Sequence, residues 1–141
     1  MSTSFSSFLL QIAKLRLAFC KLVIIPNLKN CSLIQELDLS DNPISGEIRN
    51  WIWKVVDGSL NPSYISLVGF QEPYSILNLY LLDLHSTRLQ GKISFPSPEE
   101  VIVDYSNNNF TSSIPDDIRY IAPNMYLFSV SNMLTSGIPE S

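Results

Sequence analysis

The chain has 141 residues, of which 45% are hydrophobic and 16% charged, and its formal net charge at pH 7 is −4. The acidic balance argues against a nucleic-acid partner, because a phosphate-binding surface wants a basic stripe and the nine Lys and Arg are scattered without a run. No stretch reaches the roughly 18 apolar residues that a membrane span requires.

Taken in chain order, the first segment reads "MSTSFSSFLLQIAKLRLAF". It has the outline of a secretory leader, but no Lys or Arg precedes the apolar run, and Gln11 and Lys14 interrupt it. Ile12, Leu15 and Leu17 belong instead to a pattern that returns along the chain. "LRLAFCKL" opens it at Leu15, "LDLSDNPISGEI" at Leu37, "LNPSYISLVG" at Leu60, "LDLHSTRLQGKI" at Leu82, "VDYSNNNFTSSIP" at Val103 and "LFSVSNMLTSGIP" at Leu127. The openings are 22, 23, 22, 21 and 24 residues apart, which is the period of a leucine-rich repeat. The chain is therefore read as one array over residues 1–141, of about six repeats.

The shared frame, L-x-L-x-x-N-x-L-x-G-x-I, has a physical reading. L-x-L is a short strand with both apolar residues on one side. One strand cannot bury that side alone, so successive turns stack into a parallel sheet over a continuous core. The Asn then serves the backbone groups exposed where the chain turns inward. Cys20 and Thr87 stand at this position in two repeats and do part of the job, whereas Ile65 has no hydrogen-bonding group. Gly supplies free dihedrals for the return path. Pro62, in place of the second Leu, removes a ladder donor from its repeat. "EIRNWIWKVV" and "SIPDDIRYIA" predict one or two helical turns each on the convex side. The expected class is an α/β repeat, a leucine-rich-repeat solenoid with its parallel sheet on the concave face. The chain stops at "GIPES" with no paired-cysteine cap, as expected of a piece of a longer array.

The middle residue of each L-x-L points to the open face, so Arg16, Asp38, Asn61, Asp83 and Asp104 form a column. Adjacent strands lie about 4.8 Å apart, which lets Arg16 pair with Asp38. Asp83 and Asp104 face each other as like charges. With His85 and Ser106 they make a candidate acidic patch for a Lys- or Arg-bearing partner. His85 is the only histidine and stands near no nucleophile motif, so it is read as solvated or ligand-facing. Two Cys and one His make no metal motif, and no cofactor signature is present. Cys20 and Cys31, eleven residues apart, can form a bridge in an oxidising compartment, but the repeat frame places Cys20 on the inner turn, which favours two separate thiols. Asn30-Cys31-Ser32 and Asn109-Phe110-Thr111 match the glycosylation sequon. Trp51 and Trp53 are assigned to packing on the convex layer. With no nucleophile, phosphate loop or metal set in view, the expectation is a binding module and not an enzyme.

"LDLSDNPISGEI", "LDLHSTRLQGKI" and "NNNFTSSIP" resemble the extracellular repeats of plant leucine-rich-repeat receptor-like proteins. "RLAFCKLVIIPNLKN", "NWIWKV", "VDYSNNNFTSSIPDDI" and "SGIPES", in that order, sharpen the resemblance to the disease-resistance type that acts in Verticillium wilt. The resemblance covers the chain from about Leu15 onward. It implies a cell-surface immune receptor at the plasma membrane that binds a protein, peptide or glycan ligand outside the cell. Signalling would then run through a partner kinase that acts as co-receptor. Two other readings stay open: a secreted inhibitor of a cell-wall-degrading enzyme, and a non-functional fragment of a receptor gene.

Overall fold

Short L-x-L strands give few ladder hydrogen bonds each, so the fold depends on many of them lying side by side. The computed structural model describes residues 12–31, 33–74, 78–91, 101–110 and 125–129. In chain order they form β1 (Lys14–Arg16), β2 (Ile34–Asp38), β3 (Ser45–Ile48), α1 (Ile52–Val55), β4 (Val56–Asn61), β5 (Ser66–Phe70), β6 (Leu79–Asp83), β7 (Gln90–Gly91), β8 (Val101–Asp104), β9 (Asn109–Phe110) and β10 (Met125–Ser129). Six of these build one sheet in the order β1-β2-β4-β6-β8-β10, and every neighbouring pair is parallel. Across it Leu15 stands opposite Leu37, Leu37 opposite Leu60, Leu60 opposite Leu82, and Leu82 opposite Val103. In the last pair Phe128 stands opposite Val103, one residue beyond Leu127. Two further parallel pairs, β3-β5 and β7-β9, form on the far side of each turn.

The core lies between these two layers. Leu37, Leu60, Leu82 and Val103 are fully buried, as are Leu39, Leu84 and Tyr105 two residues further on. Ile44, Leu67, Leu89 and Phe110 close the core from the return path. Each such side chain contributes about 1.5–3 kcal/mol relative to exposure, so stacking is what stabilises the array. The burial of Tyr105 also pushes its phenol well above the ordinary tyrosine range.

The turn after each strand shows the Asn at work. Asn42 donates Nδ2 to Leu39 O at 2.9 Å and Ser40 O at 3.1 Å, and across to Leu17 O of the preceding repeat at 2.9 Å. Its Oδ1 accepts from Cys20 N and Leu22 N, both at 3.0 Å. Asn108 repeats the pattern with Leu84, Tyr105 and Ser106 carbonyls and with Leu89 N. Thr87 does share this role, since its hydroxyl donates to Asn108 Oδ1 and reaches Leu84 O. Ile65 fills the same place as a buried aliphatic side chain.

The residue before this position is left-handed in each of the first five repeats. Phe19, Asp41, Tyr64, Ser86 and Asn107 have φ between 54° and 57°. Asp and Asn tolerate that conformation through local hydrogen bonds. Phe and Tyr do not favour it, and here the stacked neighbours impose it. Two glycines are required by conformation. Gly46 has φ 93° on the return path, and Gly58 has φ 146° where β4 crosses so close to β2 that a Cβ would lie 2.2 Å from Gln35 O.

"NWIWKVV" forms a single helical turn, α1, as its pattern predicts. Trp53 is buried there against Phe70 and Tyr74, with ring centroids 5.7 and 6.5 Å away, and Trp51 is half-buried. The second predicted helical stretch, "SIPDDIRYIA", lies outside the described residues, as do the segment before Ile12 and the end of the sixth repeat. Among the described residues no helix is long and apolar enough to cross a membrane.

Candidate functional site on the open sheet face

Because side chains alternate along a strand, the sheet's solvent face carries two columns. One holds Lys14, Glu36, Ser59, Leu81 and Ile102, and the other Arg16, Asp38, Asn61, Asp83 and Asp104. The face changes character along its length. Its first two strands carry charge in the outer column, Lys14 and Glu36, whereas β6 and β8 place Leu81 and Ile102 there beside Asp83 and Asp104. Leu81 is exposed and Ile102 half-buried.

Arg16 and Asp38 are register partners, but the expected ion pair between them does not form. The Arg16 guanidinium binds Glu36 instead, with Nε–Oε1 2.7 Å and Nη2–Oε2 3.4 Å. This hydrogen bond raises the Arg16 pKa and lowers that of Glu36. The reason is that Asp38 is already engaged. Its Oδ1 accepts from Ser40 N at 3.0 Å and from Ser40 Oγ at 2.6 Å.

The same local turn recurs along the column. Asn61 Oδ1 accepts from Ser63 N at 3.1 Å, Asp83 Oδ1 from His85 N at 3.2 Å, and Asp104 Oδ1 from Ser106 N at 2.9 Å and Ser106 Oγ at 2.6 Å. Each side chain thus substitutes for a backbone acceptor as the strand ends. A charge pattern alone does not reveal this structural duty. Its signal in the sequence is that Asp or Asn occupies this place in four of the first five repeats.

Asp83 and Asp104 stand in register on neighbouring strands, as expected. Ser106 joins them through Asp104. His85 turns its ring toward Asp83, so that Nδ1 contacts Asp83 Oδ1. The edge of Tyr64 packs on the imidazole, with centroids 4.7 Å apart and planes at 84°. One donor atom each from Asp83, His85 and Asp104 lie within 4.8 Å of one another, and all three residues are half-buried. Arg16 and Asp38 belong to the far end of the column and do not join this group.

The remaining candidates fall elsewhere. Cys20 and Cys31 are free thiols. Cys20 is exposed and not turned inward as the repeat frame suggested, while partial burial raises the Cys31 pKa. Asn30 and Asn109 are both exposed, with Asn109 at the start of β9. Ser32 and Thr111, which complete the two sequons, lie outside the described residues. On the opposite face a cleft of about 590 Å³ is lined by Asn50, Trp51, Trp53, Lys54 and Tyr74, among others. The Trp53 Nε1 is buried without a hydrogen-bond partner.

Comparison with known proteins agrees with this geometry. The Leucine Rich Repeat family matches residues 33–55, which cover β2 to α1. Receptor-like protein 6 of Arabidopsis thaliana is 32% identical over 98% of the chain, Receptor-like protein 7 is 35% identical over 75%, and Receptor like protein 26 is 30% identical over 80%. The chain spans only 14%, 11% and 15% of these relatives' lengths. No solved structure matches. Repeat period, stacked parallel sheet, Asn turns and relatives converge, and the chain belongs to the leucine-rich-repeat family, among the plant receptor-like proteins.

Proposed function

We propose that the chain is a ligand-recognition segment of a cell-surface immune receptor, and that its open sheet face binds a protein or peptide bearing Lys or Arg. Stacked repeats give an extended surface whose side chains are fixed by the backbone beneath, which suits them to binding macromolecules. The observation that carries the reading is the in-register pair Asp83 and Asp104. Among the described residues no Lys or Arg forms an ion pair with either. An incoming cation meets two carboxylates already held by their turns, with His85 and Ser106 at the rim. Leu81 and Ile102 offer apolar contact next to them, so a cationic residue with an apolar neighbour fits best. A kinase that joins the full-length receptor as co-receptor would carry the signal, and glycans on Asn30 and Asn109 would accompany export.

A peptide array in which Lys and Arg positions are varied tests this. The chain is expected to select peptides with a basic residue, and Asp83→Asn with Asp104→Asn should abolish that selection and flatten its salt dependence. Identical selection by the folded double variant would refute the acidic patch as the binding site.

A further inference from the structure

We infer that Asp83, His85 and Asp104 form a divalent transition-metal site on the sheet face. The histidine separates this set from an acidic surface patch. It brings an imidazole nitrogen to two carboxylate oxygens that come from adjacent turns of the solenoid. The three donor atoms lie within 4.8 Å of one another. Ligands at about 2.0–2.2 Å from a metal sit roughly 3 Å apart, so modest side-chain rotation closes the set.

The framework holds the donors in place before any ion arrives. Asp83 and Asp104 are register partners on a continuous sheet. Ser106 N and Oγ both hold one oxygen of Asp104, which leaves the other for coordination. His85 N holds Asp83 in the same way. Tyr64 packs edge-on against the imidazole and donates its backbone N–H to His85 O at 3.3 Å, so the ring is confined from one side. All three residues are half-buried, which limits competition from water. A mixed N/O donor set favours zinc, nickel or copper over calcium, which takes six to eight oxygens. Three protein donors leave further coordination positions open.

Metal binding is separable from peptide binding, although both use the same carboxylates. Calorimetric titration of the folded chain with Zn²⁺ alone tests it, with Ca²⁺ as contrast. One saturable Zn²⁺ per chain is expected. His85→Gln and Asp104→Asn should each weaken it more than about tenfold, since loss of even an outer-shell partner costs that much. Far-UV circular dichroism establishes that each variant folds, and Asp104→Asn carries the test if His85→Gln does not. The double variant Cys20→Ser with Cys31→Ser should bind as before, because neither thiol belongs to the set of Asp83, His85 and Asp104. The site is overturned by absence of saturable Zn²⁺ binding, by binding that survives Asp104→Asn, or by binding that disappears with the thiols.

Discussion

The second and third repeats trace the same path by different physical means. In the second, Asn42 makes five hydrogen bonds, two that close its own turn and three that tie it to the repeat before. In the third, Ile65 occupies the equivalent turn and offers only apolar packing. The ladder differs as well. Leu17 N donates to Asp38 O, Leu39 N to Asn61 O, and Leu84 N to Asp104 O. Pro62 stands where the third repeat would continue that series toward Asp83 O and has no N–H to give. The third repeat nonetheless keeps the register, the left-handed residue Tyr64 and a buried core. Once flanking turns are built, stacking carries a repeat whose own turn chemistry is absent.

That comparison breaks most visibly at the asparagines. Replacing Asn108 with Ala strips five hydrogen bonds from buried or half-buried partners. A buried polar group left unpaired costs about 1–3 kcal/mol, so a loss of at least about 3 kcal/mol is expected for Asn108→Ala, and a similar loss for Asn42→Ala. Ile65→Asn should behave differently. It gives up the transfer energy of an aliphatic side chain but regains the turn's hydrogen bonds, so it should cost less than Ile65→Ala, which leaves a cavity worth about 2–5 kcal/mol. Urea unfolding of the variants measures the difference. Equal costs for Ile65→Asn and Ile65→Ala would show that this turn has no unmet need for an amide.

Much of the fold is legible in the sequence because its strongest term is periodic. Leu37 and Leu39, or Leu82 and Leu84, are buried as pairs, and burial at two-residue spacing every 21 to 24 residues leaves a trace that survives substitution. Asn42 and Asn108 are legible because a side-chain amide is suited to several backbone groups at once. The site is legible only in part. The alternation of a strand puts Asp83, Asp104, His85 and Ser106 on one face. It does not say that each carboxylate is drawn into its own turn, because that depends on rotamers chosen within two residues. The same competition removes Asp38 from Arg16. Phe19 and Tyr64 give no hint of positive φ, since neither residue type favours it and only the stacked neighbours require it.

A smaller effect lies at Pro62. Pro62→Leu restores both the repeat's second Leu and the N–H that points along the series toward Asp83 O. A net intramolecular hydrogen bond is worth about 0.5–1.5 kcal/mol, and the lost proline returns about 0.4–1 kcal/mol of chain entropy to the unfolded state. A gain below about 1 kcal/mol is therefore expected. An upward shift in the denaturation midpoint with unchanged slope would show it. A lower midpoint would mean that the third repeat is fitted to proline and not merely tolerant of it.

The smallest effect belongs to the first two strands, where the sheet face carries opposite charges. The hydrogen bond from Arg16 lowers the Glu36 pKa in the folded chain. A carboxyl with a depressed folded value contributes stability above its unfolded value of about 4.3, and that contribution is lost as pH falls through the folded value. Glu36→Gln should therefore leave acid stability unchanged well below pH 4, where both forms are uncharged, and lower it slightly at pH 7. Arg16 is mostly exposed, with 67% of its side chain accessible, so water and salt screen the pair. The deficit of Glu36→Gln at pH 7 should shrink further in high salt. At the other end of the face Asp104→Asn relieves the like charge opposite Asp83 and keeps an oxygen for Ser106 N and Oγ, so its stability change at pH 7 should have the opposite sign. Thermal melts of both variants at low and high salt compare the two ends directly. Equal signs would mean that the charges on this face are balanced along its whole length and not divided between a paired end and an acidic one.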